Sequence, residues 1–294
     1  MRIVVTGAQG QVGWELTRRA PLLGHEVLAW DVAELDISDA AAVERVLTGS
    51  GAQAVINAAA YTAVDRAEQE PERAFAVNCD GPAHLAATCA RLQIPLLHIS
   101  TDYVYDGAKS EPYVENDPTA PLGVYGASKL AGDEAVCRAL SRHLILRVSW
   151  VFGRHGHNFV KTILRLARER EELRVVADQF GCPTYAGDIA DTLLELAGRS
   201  AEIDAADAWG IYHYCGDPAT TWHGLASAVV DMARASEPLP VRAVSPITTA
   251  EYPLPAARPI NSVLDCAKLA ARFAIRPRPW REGLGAVLAQ TAEP

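Results

Sequence analysis

Hydrophobic residues in this chain follow two rhythms. Short, nearly unbroken apolar runs at 2–6 (RIVVT), 25–30 (HEVLAW), 54–59 (AVINAA), 94–100 (IPLLHIS) and 143–150 (HLILRVSW) predict strands buried on both faces. Between them, apolar positions at helical spacing predict helices in VGWELTRRAPLL, at 39–47, at 71–92 and at 123–141. This alternation predicts parallel βαβ units with right-handed crossovers, an α/β fold with a doubly wound parallel sheet. After about residue 150 it loosens into a helix near 158–171, a strand at 173–177, a helix near 187–198, a strand at 211–215 and a proline-rich, irregular stretch at 236–262. The division this predicts is a nucleotide-binding core mainly over 1–150 and a smaller C-terminal α/β substrate lobe mainly over 151–294, with some segments returning to the core.

Composition narrows the class. A chain of 294 residues, 49% hydrophobic, can bury a sizeable core. No apolar run approaches bilayer length, and MRIVVTGAQG has glycines where a secretory leader would be apolar, so a cytoplasmic protein is expected. A net charge of −9 with scattered arginines speaks against nucleic-acid and membrane partners. The six cysteines (79, 89, 137, 182, 215, 266) form no C-x-x-C pair, and buried, reduced thiols are expected rather than disulfides or a zinc site.

Candidate chemistry begins at GAQGQVG. Gly7, Gly10 and Gly13 follow the first strand and open the first helix, where bare backbone can turn tightly and approach a pyrophosphate at a helix N-terminus. In this strand–turn–helix setting the loop predicts a Rossmann-like dinucleotide site. Asp31, ending the second strand, can accept hydrogen bonds from an adenosine ribose and repel a 2′-phosphate, which favours NADH; Arg2 or Arg18 could still admit the phosphate of NADPH. Asp36 and Ile37 are placed at the adenine end. The small residues of NAAAYT (57–62) would let the cofactor pass close to the backbone at Ala60, Tyr61 and Thr62.

Further along, Tyr125 and Lys129 stand one turn apart on a helix and can address one site. A nearby cation would favour the phenolate and make Tyr125 a better proton-exchange partner near neutrality. In the octet STDYVYDG (100–107), Thr101 is the hydroxyl expected to orient a substrate oxygen, while Tyr103 and Tyr105 read as packing or loop residues. The glycine loop, the strand ending in Ser100–Thr101 and the downstream Tyr125/Lys129 pair resemble, in that order, the extended short-chain dehydrogenase/reductases. Related 4,6-dehydratases carry S-T-D-E; here Tyr103 holds the glutamate position, which disfavours dehydration.

Motifs along nearly the whole chain, GQVGWEL, NAAAYTAVDRAE, STDYVYDG, VYGASKLAGDE, RVSWVFG, NFVKT, DQFGCPT and RPINSVLD, resemble those of the dTDP-4-dehydrorhamnose reductase family. The resemblance implies hydride transfer from NADPH or NADH to C4 of a dTDP-linked 4-ketosugar, with Tyr125 protonating the alkoxide and Lys129 and Thr101 assisting. It adds Gln11, Val12 and Ile99 to the cofactor contacts, together with Tyr125 and Lys129, whose ammonium could also hold the nicotinamide ribose. Thr101, Asp102 and Trp150 match positions that contact the sugar nucleotide, and Asn158, Lys161 and Arg258 are candidates for its diphosphate. Family members are associated with Mg²⁺ at a subunit contact through three glutamates; Glu15 matches one, but Gly187 and Gln290 stand at the others, so the metal is doubtful despite the nearby Asp188. Glu15 alone could favour the positive end of the first helix. A metal-binding role for His155 and His157 is not expected. Short-chain relatives often pair, so a homodimer is possible. Two rival readings share these residues: a reductase or epimerase acting on another sugar nucleotide, and a non-catalytic, cofactor-binding regulatory subunit.

Overall fold

A computed structural model describes residues 1–203 and 205–291, without the side chains of residues 206, 290 and 291. Its centre is a six-stranded, wholly parallel sheet built from β1 (Arg2–Thr6), β2 (Glu26–Trp30), β3 (Ala54–Asn57), β4 (Leu96–Thr101), β5 (His143–Val148) and β6 (Gly210–His213). The strand order is β6-β5-β4-β3-β1-β2. Travel across the sheet reverses between β1 and β3, and the crevice beyond the carboxyl ends of such a pair is where doubly wound sheets bind ligands.

Both faces are covered, which is why the strands read as continuous apolar runs. Ile3 and Val5 pack with Leu16 of α1 (Gln11–Arg19) and Ile189 and Leu193 of a helix at Ala186–Arg199; Val4 points the other way, against Val43 and Leu47 of α2 (Ala40–Ser50), Leu85 of α3 (Gly81–Leu92) and Val136 of α4 (Val124–Ala139). A separate apolar cluster in the second half gathers Ile163 and Leu164 of α5 (Phe159–Glu169), Leu225 and Val229 of a helix at Trp222–Arg234, and Trp280. That half also returns to the first: β6 pairs with β5, and Ala186–Arg199 packs on α1.

Two stretches differ from the sequence reading. The helix predicted over 71–92 is broken: Pro71–Phe75 is α-helical, 76–80 is a π-turn, and α3 starts at Gly81. Pro82 has no N–H to give the Asn78 carbonyl, so the ladder widens there. The irregular stretch 236–262 contains a strand, Ala243–Ile247, paired in parallel with Glu172–Val176. Pro246 hides it from a propensity reading, and a two-stranded ribbon tolerates the missing donor. All six thiols are free; Cys89, Cys182, Cys215 and Cys266 are buried as expected, but Cys79 is half-buried and Cys137 exposed. No described helix is long and apolar enough to cross a membrane.

Candidate active site

The glycine loop closes on itself through Gly10 N–H donating to the Gly7 carbonyl at 3.0 Å. A Cβ on Gly7 would lie 2.5 Å from Ala59 N, and one on Gly13 would lie 2.0 Å from the Gly7 carbonyl oxygen. Gly7 also has a left-handed φ of +68°. Gly13 therefore lets α1 pack against the loop at Gly7 and Ala8, whereas Gly7, Gly10, Gln11 and Val12 line the groove. No side chain caps α1 at Gly10, so its first-turn N–H groups are available to an anion. We expect Gly13→Ala to push the loop from Gly7 and weaken nicotinamide-cofactor binding at least about tenfold, a loss on the order of 1.4 kcal/mol, read by fluorescence titration.

From this loop the groove runs both ways. One arm, of about 350 Å³, is lined by Asp31, Asp36, Ile37, Ala60, Tyr61 and Arg73. Asp31 accepts from Gln9 N–H at 2.8 Å and Val32 N–H at 2.9 Å, so the carboxylate is fixed at the groove edge. Neither arginine offered for a 2′-phosphate lies there: Arg2 pairs with Glu26, and Arg18 stacks on Trp14. The lining cation is Arg73, which sequence reasoning passed over. Tyr61 is held by its hydroxyl on Glu70 and by Asn78, whose amide also reaches Ser128 on α4. The curvature and bare backbone fit a dinucleotide stretched from Ile37 past Gly10 toward α4.

The other arm is a cleft of about 720 Å³ whose walls include Thr62, Ile99, Thr101, Asp102, Tyr125 and Lys129. Thr101 ends β4; its hydroxyl donates to Asp102 Oδ1 at 3.0 Å, accepts from Tyr103 N–H, and hydrogen-bonds with the Tyr125 phenol. Burial pushes the Tyr125 hydroxyl up to about 12; the Thr101 hydrogen bond pulls down, while Asp102 and Asp133 push up. This reverses the expectation of a phenol made acidic by Lys129. The ammonium is committed elsewhere, its Nζ 2.7 Å from the Ile99 carbonyl and 3.3 Å from His98 Nε2. Burial brings Lys129 itself down to about 8, against the pull of Asp133.

Asp102 is 2% exposed and its Oδ2 has no partner; the Ser262 hydroxyl stands close by but donates to the Phe180 carbonyl. Burial pushes this carboxyl up to about 7, with the Ser262 and Thr101 hydroxyls pulling down. A carboxyl raised in the folded state holds its proton there while the unfolded chain has lost it, so it costs stability as pH climbs from the ordinary carboxylate range toward 7. Asp102→Asn should flatten that slope and gain on the order of a few kcal/mol at pH 8 over the parent, measured by urea denaturation from pH 4 to 8.

The lobe supplies the remaining wall. Trp150 adopts a left-handed φ of +45° and stacks on Trp222 with ring centroids 3.6 Å apart, so one face of Trp150 is covered rather than open to a sugar. Trp222, Phe159, His157 and Tyr103 also line the cleft. Tyr103, in the turn after β4, packs edge-on against Tyr125 at 5.6 Å, within the packing or loop role expected of it, and it also lines the cleft; Tyr105 is buried as expected. Nothing in the sequence around Trp222 pointed to the site. Three diphosphate candidates are otherwise engaged. Asn158 lines the cleft, but its amide donates to Gln11 and Gly153 and its oxygen caps α5. Lys161 donates to the Gly156 carbonyl, and Arg258 pairs with Asp65 at 2.8 Å; neither is in the lining.

Glu15 does not serve the helix N-terminus. It is buried, accepting from Arg19 at 2.9 Å and Tyr185 at 3.0 Å. Gly187 adjoins Arg19 and Tyr185, Asp188 pairs with Arg278, and the side chain of Gln290 lies outside the described residues. Among the described residues no group of three or more His, Cys, Asp or Glu is placed to hold a metal. His155 stacks on Trp14.

Comparison with known proteins agrees with this geometry. The family model described as "RmlD substrate binding domain" matches residues 1–293. A dTDP-4-dehydrorhamnose reductase of Burkholderia thailandensis is 47% identical over 291 residues, covering 97% of each chain. Among solved structures, a dTDP-4-dehydrorhamnose reductase of Clostridium acetobutylicum superposes with a TM-score of 0.92 at 34% identity, covering 99% of each chain. Another, from Bacillus anthracis in complex with NADP, gives 0.91 at 34% identity over 98% of this chain and 99% of that one. With matches of that length and identity, and a glycine loop, Thr101, Tyr125 and Lys129 along one groove, this chain belongs to the dTDP-4-dehydrorhamnose reductase family.

Proposed function

We propose that this protein reduces the C4 ketone of dTDP-4-dehydro-L-rhamnose to give dTDP-L-rhamnose, using NADPH or NADH. The observation that carries the reading is the continuous groove from Asp31 past the glycine loop to Thr101 and Tyr125. The reduced nicotinamide supplies a hydride when bound. The first-turn N–H groups of α1 hold its pyrophosphate, and Asp31 its adenosine ribose.

Tyr125 is the proton donor. A phenol kept protonated by burial does not release its proton to the neutral ketone, but it gives it up to the far more basic alkoxide that forms on hydride transfer. Thr101 orients the substrate oxygen, and Lys129 brings positive charge to the wall where negative charge develops. Trp150 and Trp222 bound the sugar, with Asp102 facing it. Residues 1–150 hold mainly the cofactor and 151–294 mainly the sugar nucleotide. We place the protein in the cytoplasm, as a homodimer without nucleic-acid or membrane partners.

The test supplies purified protein with NADPH or NADH and dTDP-4-dehydro-L-rhamnose, follows nicotinamide absorbance and identifies the product by chromatography. Rapid, substrate-dependent oxidation yielding dTDP-L-rhamnose is expected. No oxidation with either coenzyme, or turnover only of UDP- or GDP-linked ketosugars, would overturn the reading.

A further inference from the structure

Three of the free cysteines meet at one place, outside the groove that the proposed chemistry uses. Cys215 lies two residues past the end of β6, Cys266 immediately precedes the helix at Ala267–Phe273, and Cys182 follows the short strand at Phe180–Gly181. Folding alone brings them together. Cys215 Sγ is 3.7 Å from Cys266 Sγ, its thiol also bonds with that of Cys182, and it lies 3.5 Å from the Leu264 carbonyl. The two sulfur neighbours and burial push the Cys215 thiol well above its ordinary range, so it keeps its proton. Cys89 packs in a different apolar cluster, and Cys137, on α4, contacts His143.

This thiol cluster is open to solvent from one side. A cavity of about 560 Å³ has Cys182, Cys215 and Cys266 among its walls, and Asp217, Ala219, Ala267 and Arg276 form an exposed rim. Cys266 is the least covered of the three, 7% exposed against 3% for Cys182 and 2% for Cys215. A small oxidant entering the cavity therefore meets Cys266 first. The cluster also backs the wall of the cleft. Gly181, next to Cys182, presses so closely on the Trp150 indole that a Cβ there would lie 2.3 Å from the ring, and Ser262, in the segment leading to Cys266, stands beside Asp102.

We propose that Cys215 and Cys266 are a modification site, a dithiol that a peroxide converts reversibly into a disulfide, clamping the exit of β6 to the segment that backs Asp102. The Cys266 sulfur attacks one peroxide oxygen; an S–O bond forms, the O–O bond breaks, and the departing oxygen leaves as water with the thiol proton. The Cys215 sulfur then attacks the Cys266 sulfur; the S–S bond forms, the S–O bond breaks, and the hydroxyl leaves as a second water with the Cys215 proton. Two thiols are oxidised and one peroxide is reduced. The sulfurs close from 3.7 Å to about 2.05 Å, a movement shared between two side chains. The link spans 51 residues and so restricts the unfolded chain.

Trypsin leaves the three thiols on separate peptides, 175–199, 200–234 and 243–268, because Arg258 precedes proline. The purified protein is treated with hydrogen peroxide, its remaining thiols are alkylated, and the digest is read by mass spectrometry without reductant. Peptides 200–234 and 243–268 should appear joined, and dithiothreitol should separate them. The urea midpoint of the oxidised protein should rise by roughly 0.5–1 M and return on reduction; Cys215→Ser should lose both the joined peptides and the shift. Over-oxidation of Cys266 without a link, a link from Cys215 to Cys182 instead, or no reaction at either thiol overturns the proposal. Should Cys215→Ser fail to fold, the peptide map of the parent decides alone. Neither measurement needs cofactor or sugar nucleotide, so failure here and failure of the reductase assay are read separately.

Discussion

Tyr125→Phe should lower kcat about a thousandfold while leaving KM for the sugar nucleotide nearly unchanged. Positioned acid catalysis contributes roughly 10²–10⁴ in rate, and removing one hydroxyl leaves the shape of the cleft intact. The protein should fold normally, because Thr101 donates to Asp102 rather than relying on the phenol. Steady-state nicotinamide oxidation measures the loss, and cofactor binding by fluorescence shows that the groove survives. The pH profile of the residual rate adds a second reading. Asp102 sits beside Thr101 with its carboxyl at about 7, protonated in part at neutrality. If that carboxyl were the true donor, Tyr125→Phe would keep most of its activity and lose it as pH rose through 7. A residual rate that is both small and flat across that range assigns the proton to Tyr125.

How much of this could be read from the chain follows from which interactions are local. β1, β3, β4 and β5 are legible because each is buried on both faces and needs an unbroken apolar run, whereas the edge strand β2 is only partly covered and is legible from its short apolar run alone; GAQGQVG is legible because close backbone approach admits only glycine at Gly7 and Gly13. Tyr125 and Lys129 are visible as a pair because one helical turn separates them. What escaped is set by partners distant in sequence. Lys161 and Arg258 look like free cations until Gly156 and Asp65 are found beside them. Trp222 reaches the cleft only because the lobe folds its helix against Trp150. The acidity expected of Tyr125 failed for the same reason: helical spacing fixes its distance along the chain from Lys129, but the Ile99 carbonyl and the surrounding burial decide where the ammonium points and what charge costs there.

The largest effect on stability is expected at Arg147→Met. Arg147 and Asp133 are 2% and 1% exposed, and the guanidinium holds both Asp133 Oδ2 and the Tyr105 hydroxyl, the latter at 2.9 Å. Removing one partner of a buried pair strands the other charge, a loss of about 3–5 kcal/mol, whereas Arg147→Met with Asp133→Leu should recover a good part of it. Burial already holds the Asp133 carboxyl above its ordinary range, with Arg147 and Lys129 opposing. Without Arg147 it rises further, so the folded variant keeps a proton that the unfolded chain sheds above the ordinary carboxylate range. The deficit should therefore be smallest in acid, where Asp133 is protonated in both states, and should widen as pH increases. Urea denaturation of parent, single and double variants at pH 4.5 and 8 measures it; a deficit independent of pH would mean that lost packing around Tyr105, rather than a stranded carboxylate, is the cause. Since Asp133 also borders His98 and Lys129, the same substitution should move the Lys129 titration, and an unmoved midpoint would show that the core ion pair and the catalytic wall are electrostatically separate.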